Sequence, residues 1–465
     1  MKIGVDMLAD QSAGRTRGTG RYARGLVGEL SLASKHEFFL YYYEGLPQTA
    51  DLVGPHVTVR TLPTSGSLHA AAHQLASENR DELDVLLFTC PLENFHGYLP
   101  PFPSRRGPRL AAIVYDLIPW RFPDEYLHHP GIAQSYRRAR AALRNYDALL
   151  TISESGRRDV IELLRVSPDR VVNIGAGSDA GFFCPADTHS ADNRAARWLA
   201  EQRIERPFVY ALTALDYRKN LSGLLTAFER LPARLIASHQ FVVTCAPSND
   251  DDAGRARDVI ARSAIGQRIV LTESLDDAGL RTLYQHAAAF VFPSRYEGFG
   301  LPLVEAMQCG TPVVAGRNSS QIEVVGDAGL LADVDDAQDL ANKIAAMLDD
   351  RRLADEFRVR GLEQAGRFTW PAVAQRCLDA LQTTARLPRQ SNWFDTLAAR
   401  GKLAVRERLT RLMVFERRRV GPASLRAQAH RKRRRPWWAG ARKLAGPTLR
   451  LSPRSVADTD RGAAA

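Results

Sequence analysis

Short, near-continuous apolar runs alternate with segments of helical period along this chain, and the alternation occurs twice. In the first half the strand-like runs are KIGVDML (2–8), EFFLYYY (37–43), HVTVRTL (56–62), DVLLFTC (84–90), RLAAIVYD (109–116), ALLTIS (148–153) and VVNIGA (171–176). Helical patterns cover 20–33, 129–145 and 155–166. A strand apolar on both faces must be covered on both faces, which predicts a parallel sheet between helices. The polar stretch 185–198 breaks the pattern, reading as a linker that leads into a helix. The scheme then resumes with strands at 208–215, 240–246, 268–274, 288–293 and 311–316, and helices at 221–231, 276–287 and 337–348. The expectation is α/β: two Rossmann-like, doubly wound parallel-sheet domains facing a cleft, at 1–185 and 200–370. A terminal helix at 371–386 and a basic extension at 387–465 complete the chain.

Length agrees, since 465 residues exceed what one ordinary core organises. A 45% hydrophobic and 25% charged composition is that of a globular protein. The five cysteines (Cys90, Cys184, Cys245, Cys309, Cys377) are scattered without CxxC or Cys/His spacing. Neither a disulfide framework nor structural zinc is expected. The N-terminus enters a strand directly and no apolar run reaches bilayer length, so a cytoplasmic location is expected. The net charge of +11 is unevenly distributed. Residues 387–465 hold 20 Lys and Arg against 5 Asp and Glu, leaving 43 against 47 of the chain's 63 and 52 for the rest. The body is mildly acidic, so any nucleic-acid or membrane argument concerns the extension alone.

Four segments carry chemistry. In FPSRYEGFGLPLVEAMQCGT (292–311) an apolar strand meets a glycine-rich loop and a helix beginning near Leu301 or Pro302, with proline near the first helical position. Gly298 and Gly300 leave amides open at that N-terminus, where the dipole favours a phosphate. Glu297 precedes the loop and Glu305 lies about one turn into the helix, separated by seven residues. Two carboxylates beside an anion site suit a ligand bearing both hydroxyls and phosphate, such as a nucleotide sugar. In LTALDYRKNLSGLLTAF (212–228) Arg218 and Lys219 stand at a helix start, the wrong end of the dipole for cations unless an anion comes between them. The strand 109–116 delivers Tyr115 and Asp116 to its C-terminal end, with a turn cap before Pro119 as the plain alternative for Asp116. The first βα turn holds Gly14, Gly18 and Gly20, which permit close backbone approach to a ligand or simply a flexible turn. Asp250 to Asp252 read as a solvated charge run in a loop, and no DxD motif is placed for a metal-bound diphosphate.

Together GTGRYARGL, YDLIPWRFPDEYL, YDALLTISESGRRDV, ALDYRKNL, FVFPSRYEGFGLPLVEAMQCGTPVVAG and IEVVGDAGLL resemble the family 4 retaining glycosyltransferases over about residues 1–385. That resemblance implies the GT-B architecture and a sugar transfer from a GDP-, UDP- or ADP-linked donor to a hydroxyl acceptor. Surface polysaccharide or glycolipid synthesis, with a mannosyl- or glucosyltransferase-like activity, is the setting it implies. Glu297 then contacts donor-sugar hydroxyls near the reacting carbon and Glu305 the ribose hydroxyls. Arg218 and Lys219 neutralise the leaving diphosphate, and the amides of Phe299, Gly300 and Leu301 hold phosphate or sugar oxygens. Asp116 joins the catalytic set; Tyr115, Gly18 and Gly20 join the donor wall. No cofactor or metal is implied. The chain departs from the family in carrying Tyr115 before Asp116 where many members have histidine, and Tyr can hydrogen-bond a hydroxyl without carrying positive charge. It also carries Arg218 beside Lys219, where many members place the arginine several residues earlier. Two alternatives are a GT-B sugar-nucleotide epimerase, distinguishable by its product from donor alone, and a catalytically silent sugar-nucleotide-binding scaffold, distinguishable by the absence of donor turnover.

Beyond the body, Phe394, Leu397, Val405, Leu409, Leu412 and Phe415 recur at helical spacing among arginines, followed by RRR (417–419) and RKRRRPWWAG (431–440). A basic amphipathic helix with Trp437 and Trp438 suits an anionic membrane surface through residues 394–440, and hence a peripheral position on the inner face of the membrane or contact with a lipid-linked acceptor, with a disordered, solvated tail as the plain alternative. No nucleic-acid motif accompanies it, so nucleic acid is not an expected partner.

Overall fold

The computed structural model describes residues 1–387 except 13, 16–17, 34, 49–51, 53, 65–66, 93–97, 188–193, 246–249 and 273–274. The membrane expectation for 394–440 lies outside the described residues. Strands β1 (Lys2–Asp6), β2 (Glu37–Tyr43), β3 (Val57–Leu62), β4 (Val85–Phe88), β5 (Arg109–Val114), β6 (Ala148–Thr151) and β7 (Val171–Asn173) form the first sheet. Its order is β3-β2-β1-β4-β5-β6-β7, with every pairing parallel. Strands β8 (Phe208–Thr213), β9 (Gln240–Cys245), β10 (Ile269–Thr272), β11 (Ala289–Phe292), β12 (Val313–Gly316) and β13 (Leu330–Ala332) form the second, in the order β10-β9-β8-β11-β12-β13 and again parallel throughout.

The apolar runs are strands because both of their faces are covered. Val85, Leu86, Leu87 and Phe88 are all fully buried, as are Phe290, Val291 and Phe292. Each sheet reverses its strand order once, between β1 and β4 and between β8 and β11. Flanking loops diverge at such switch points and leave a crevice beyond the strand C-termini, the general ligand position in open α/β sheets. Arg218 and Lys219 follow β8, and Glu297 follows β11, so both sides of the second switch point are charged.

Several elements differ from the sequence expectation. Asp250 to Asp252 open the helix Asp250–Ala261 rather than lying in a loop. The helices Leu68–Glu78 and Arg351–Ala365 and strand β13 lack expected counterparts. The terminal helix Trp370–Arg386 packs not on the sheet it follows but on the helix Gly18–Ala33 and strands β4 to β6 of the first. Its Trp370 ring stands edge-on to Tyr22, centroids 5.2 Å apart. A Cβ on Gly25 would lie 2.4 Å from that indole, so the small residue on the facing helix makes room for it. Arg376 Nε donates to the Ile174 carbonyl at 2.7 Å.

Candidate functional site

The cationic turn is built before its charges are aimed. After β8, Asp216 caps a short 3-10 turn (Tyr217–Lys219) by accepting from the Arg218 amide at 3.0 Å. Asn220 follows in the left-handed region, φ 55°. Its buried amide donates to the carbonyls of Pro293 (3.3 Å) and Val334 (2.8 Å), tying the turn to the chain after β11 and after β13. Thr213 Oγ1 donates to the Lys219 carbonyl at 2.9 Å. Held in this way, Arg218 Nη1 donates to Glu297 Oε2 at 2.7 Å and Lys219 Nζ to Glu297 Oε1 at 2.6 Å. The anion expected between the cations is thus present, and it is the protein's own carboxylate. Lys219 Nζ also lies 4.6 Å from the Phe292 ring centroid.

Glu297 is 7% exposed, and its backbone is fixed on both sides. Its amide donates to Ser319 Oγ at 3.0 Å, and Ser320 Oγ donates to the carbonyls of Glu297 (2.9 Å) and Phe299 (2.8 Å). Burial alone would push the Glu297 carboxyl up; Arg218 and Lys219 outweigh it and hold the group at about 2. Burial also works against the Arg218 charge, but Glu297, Asp116 and Asp216 together raise that guanidinium above its ordinary range. Lys219 is lowered by burial, with Glu297 offsetting part of the effect.

Gly300, at φ 104°, is the N-cap of the helix Leu301–Gln308, a backbone conformation that needs glycine. One turn on, Glu305 is 4% exposed. Arg21 Nη2, from the helix Gly18–Ala33 of the first domain, lies 3.2 Å from Glu305 Oε1, and Tyr284 OH donates to Oε2 at 3.4 Å. Burial raises the Glu305 carboxyl, with Arg21 opposing. Phe299 turns its ring into the core, edge-on to Phe368 at 5.5 Å, leaving its backbone to the loop.

From the first sheet, β5 brings Asp116 to the same place. A Cβ on Gly298 would sit 2.5 Å from the Tyr115 carbonyl and 3.1 Å from Asp116 Cβ, so glycine is what lets the second domain's loop touch the end of β5. Asp116 Oδ1 accepts from the Ile118 amide at 3.1 Å, the turn cap foreseen as its plain role. It also lies within the field of Arg218 and Glu297. Burial raises its carboxyl, Arg218 opposes, and Glu297 and Asp159 add to the rise. The Tyr115 side chain goes elsewhere: its hydroxyl donates to the Thr19 carbonyl at 3.3 Å and its ring meets Tyr22 edge-on at 5.3 Å. Tyr115 therefore supports the glycine turn rather than joining the Glu297 cluster. Within that turn a Cβ on Gly20 would lie 2.3 Å from the Arg15 carbonyl, whereas Gly18 borders open space.

Structure adds residues that sequence reasoning missed. Tyr126 OH donates to Asp216, Tyr296 OH to Asp159 at 2.5 Å, and the amides of Glu154 and Ser155 donate to the Glu323 carboxylate at 2.9 Å each. With Arg21 these contacts join the two domains. All lie inside or beside the quoted motifs, but no spacing rule links residues 90 or more positions apart.

Residues 195–364, which contain Arg218, Lys219, Glu297 and Glu305, match the family model described as glycosyl transferases group 1. That segment belongs to the glycosyl transferases group 1 family. Among relatives, the chain is 28% identical over 283 residues to the serotype-specific mannosyltransferase WbdA of Escherichia coli. The match covers 61% of this chain and 34% of that protein, so the chain spans about a third of the relative's length. The O-antigen chain mannosyltransferase B of Escherichia coli is 29% identical over 291 residues, covering 62% of this chain and 73% of that one. Among solved structures, Anabaena HepE in complex with UDP-glucose superposes with a TM-score of 0.61 at 18% identity, covering 82% of this chain and all of that chain. The shared fold is the GT-B arrangement of two Rossmann-like parallel-sheet domains.

Proposed function

We propose that this group 1 member is a retaining, metal-independent hexosyltransferase of the family 4 kind, moving a sugar from a nucleotide-sugar donor to a saccharide or lipid-linked hydroxyl acceptor in surface polysaccharide or glycolipid synthesis. The observation that carries the reading is one constellation around a buried carboxylate at the β8/β11 switch point: half-buried Arg218 and Lys219 converging on Glu297, with Asp116 facing them from the other domain. The names of the two Escherichia coli relatives favour a mannosyl donor. A neighbour of the same fold holding UDP-glucose supports a nucleotide-linked sugar as the donor class.

In this reading the bond from the anomeric carbon to the diphosphate breaks, with its electron pair leaving on the diphosphate. The acceptor oxygen bonds the same face of that carbon, and its proton passes to the departing phosphate oxygen. Arg218 and Lys219 stabilise the leaving charge from a water-poor pocket where fixed cations act strongly. The amides of the Phe299–Leu301 loop add partial positive charge from the helix N-terminus. Glu297 exchanges its two cations for sugar hydroxyls, and Glu305 receives the ribose.

Donor consumption by the purified protein, followed with GDP-mannose, UDP-glucose and ADP-glucose, tests this reading. Arg218→Ala combined with Lys219→Ala should lower turnover by at least about 10²-fold, the scale set by losing preorganised charge stabilisation. Full transfer by that double variant would remove the diphosphate role.

A further inference from the structure

Arg21 belongs to the first domain, yet both of its ionic partners stand on the second. Nη2 lies 3.2 Å from Glu305 Oε1 and Nη1 3.4 Å from Asp277 Oδ1. Its guanidinium carbon stands 5.7 Å over the Phe183 ring, in the chain between the domains. Among the described residues, the other groups found to act on Glu305 are uncharged or negative: Tyr284 and Asp277 from the helix Asp277–His286, Tyr210 from β8, and Cys309 at the end of its own helix.

We propose that Arg21 is a positioning residue for the donor, completing the ribose site from the opposite domain by pairing with Glu305 so that this carboxylate meets the ribose hydroxyls charged and aimed. The inference rests on the nucleotide-sugar reading above and adds its coupling to the first domain. An ionised carboxylate has room for a guanidinium and two hydroxyls at once. Bonds to the charged form are about twice as strong as those to the neutral form. A carboxyl only 4% exposed keeps its charge only if a cation compensates for lost solvation. Arg21 reaches Glu305 only while the domains are together, so ribose recognition and domain closure reinforce one another.

The test is calorimetric binding of UDP, GDP and ADP, carried forward with whichever the wild-type protein binds most tightly and with its 2′-deoxy counterpart. Titrations run from about pH 5.5 to about pH 8.5, spanning the range into which burial moves a carboxyl. Arg21→Met should weaken binding about tenfold at the acid end and converge on wild type at the alkaline end, as Glu305 regains its charge. Arg21→Lys should restore most of the affinity. Glu305→Gln should flatten the extra pH dependence and lose discrimination against the 2′-deoxy nucleotide, and adding Arg21→Met to it should cost nothing more. Ionisation of the nucleotide's own phosphate is common to all variants and cancels in the ratios. An Arg21→Met profile parallel to wild type, or an equal loss in the Glu305→Gln background, overturns the positioning role. Failure of the wild type to bind any of the three, or full affinity in Glu305→Gln, instead overturns the ribose site itself, and the inference falls with it.

Discussion

Glu297 and Glu305 are eight positions apart and nearly equally buried, yet their surroundings set them apart. Two cations hold Glu297 at about 2, whereas burial raises Glu305 against a single guanidinium. The proposed division of labour makes distinct predictions for the two. Glu297→Gln should depress kcat by about 10²-fold or more with little change in nucleotide Kd, the loss expected when a reacting-centre contact goes. Glu305→Gln should mainly weaken donor binding, and the reverse split in steady-state kinetics and calorimetry would overturn the assignment. The same contrast bears on stability. Glu297 is depressed below its ordinary 4.5, so its contribution is complete above that pH and is lost as pH falls toward about 2. The shift amounts to roughly 3 kcal/mol for so buried a group. Melting temperatures from about pH 5 down to about pH 3 should therefore show the wild type converging on Glu297→Gln, and parallel curves would contradict the pairing. Glu297, Glu305, Arg218 and Lys219 were legible as site candidates because each is anchored to a local signal, a glycine loop or a helix start. Arg21 was not, since one arginine in an amphipathic helix has no local mark of the carboxylate it meets.

At the level of elements, legibility followed burial on both faces. Strands such as β2 and β11 were read from sequence because a doubly covered strand is a continuous apolar run. The helices Leu68–Glu78 and Arg351–Ala365 were not, because the first is rich in alanine and the second carries only a thin apolar face (Phe357, Gly361, Ala365) among charges. Strand β13 is only three residues long, below the length at which a pattern can be recognised. The terminal helix was visible as a helix, but its docking partner was not, because an amphipathic face specifies that something apolar covers it and not what. Its Val373, Ala374, Cys377, Ala380 and Leu381 are buried against the first domain, so the helix returns the chain to where it began. Leu381→Ala should cost about 2–5 kcal/mol in chemical denaturation, the range for a buried leucine. A cost near zero would mean that the helix contributes little to the fold of the first domain.

For the molecule as a whole, charge divides the chain more sharply than any fold boundary. Residues 1–386 are mildly acidic, while residues 387–465 concentrate 20 Lys and Arg. No helix among the described residues is long and apolar enough to cross a membrane. Attachment to an anionic bilayer would therefore run through the basic extension, where each Lys or Arg near the surface contributes about 1 kcal/mol. Flotation with phosphatidylserine-containing vesicles should recover the full chain and not one ending at Leu387, and the difference should fade in high salt; equal flotation of the two would remove the membrane reading. Sequence alone determined that two parallel sheets form and which loops carry the glutamates and cations, because apolar period, glycine and helix-start signals act within a few residues. Tertiary structure alone decided that Glu297 closes on both cations, that Asp116 meets Gly298, that Tyr115 turns toward Thr19, and that Arg21 crosses to Glu305. Those contacts depend on how two independently patterned domains pack together, and no local periodicity encodes the distance between them.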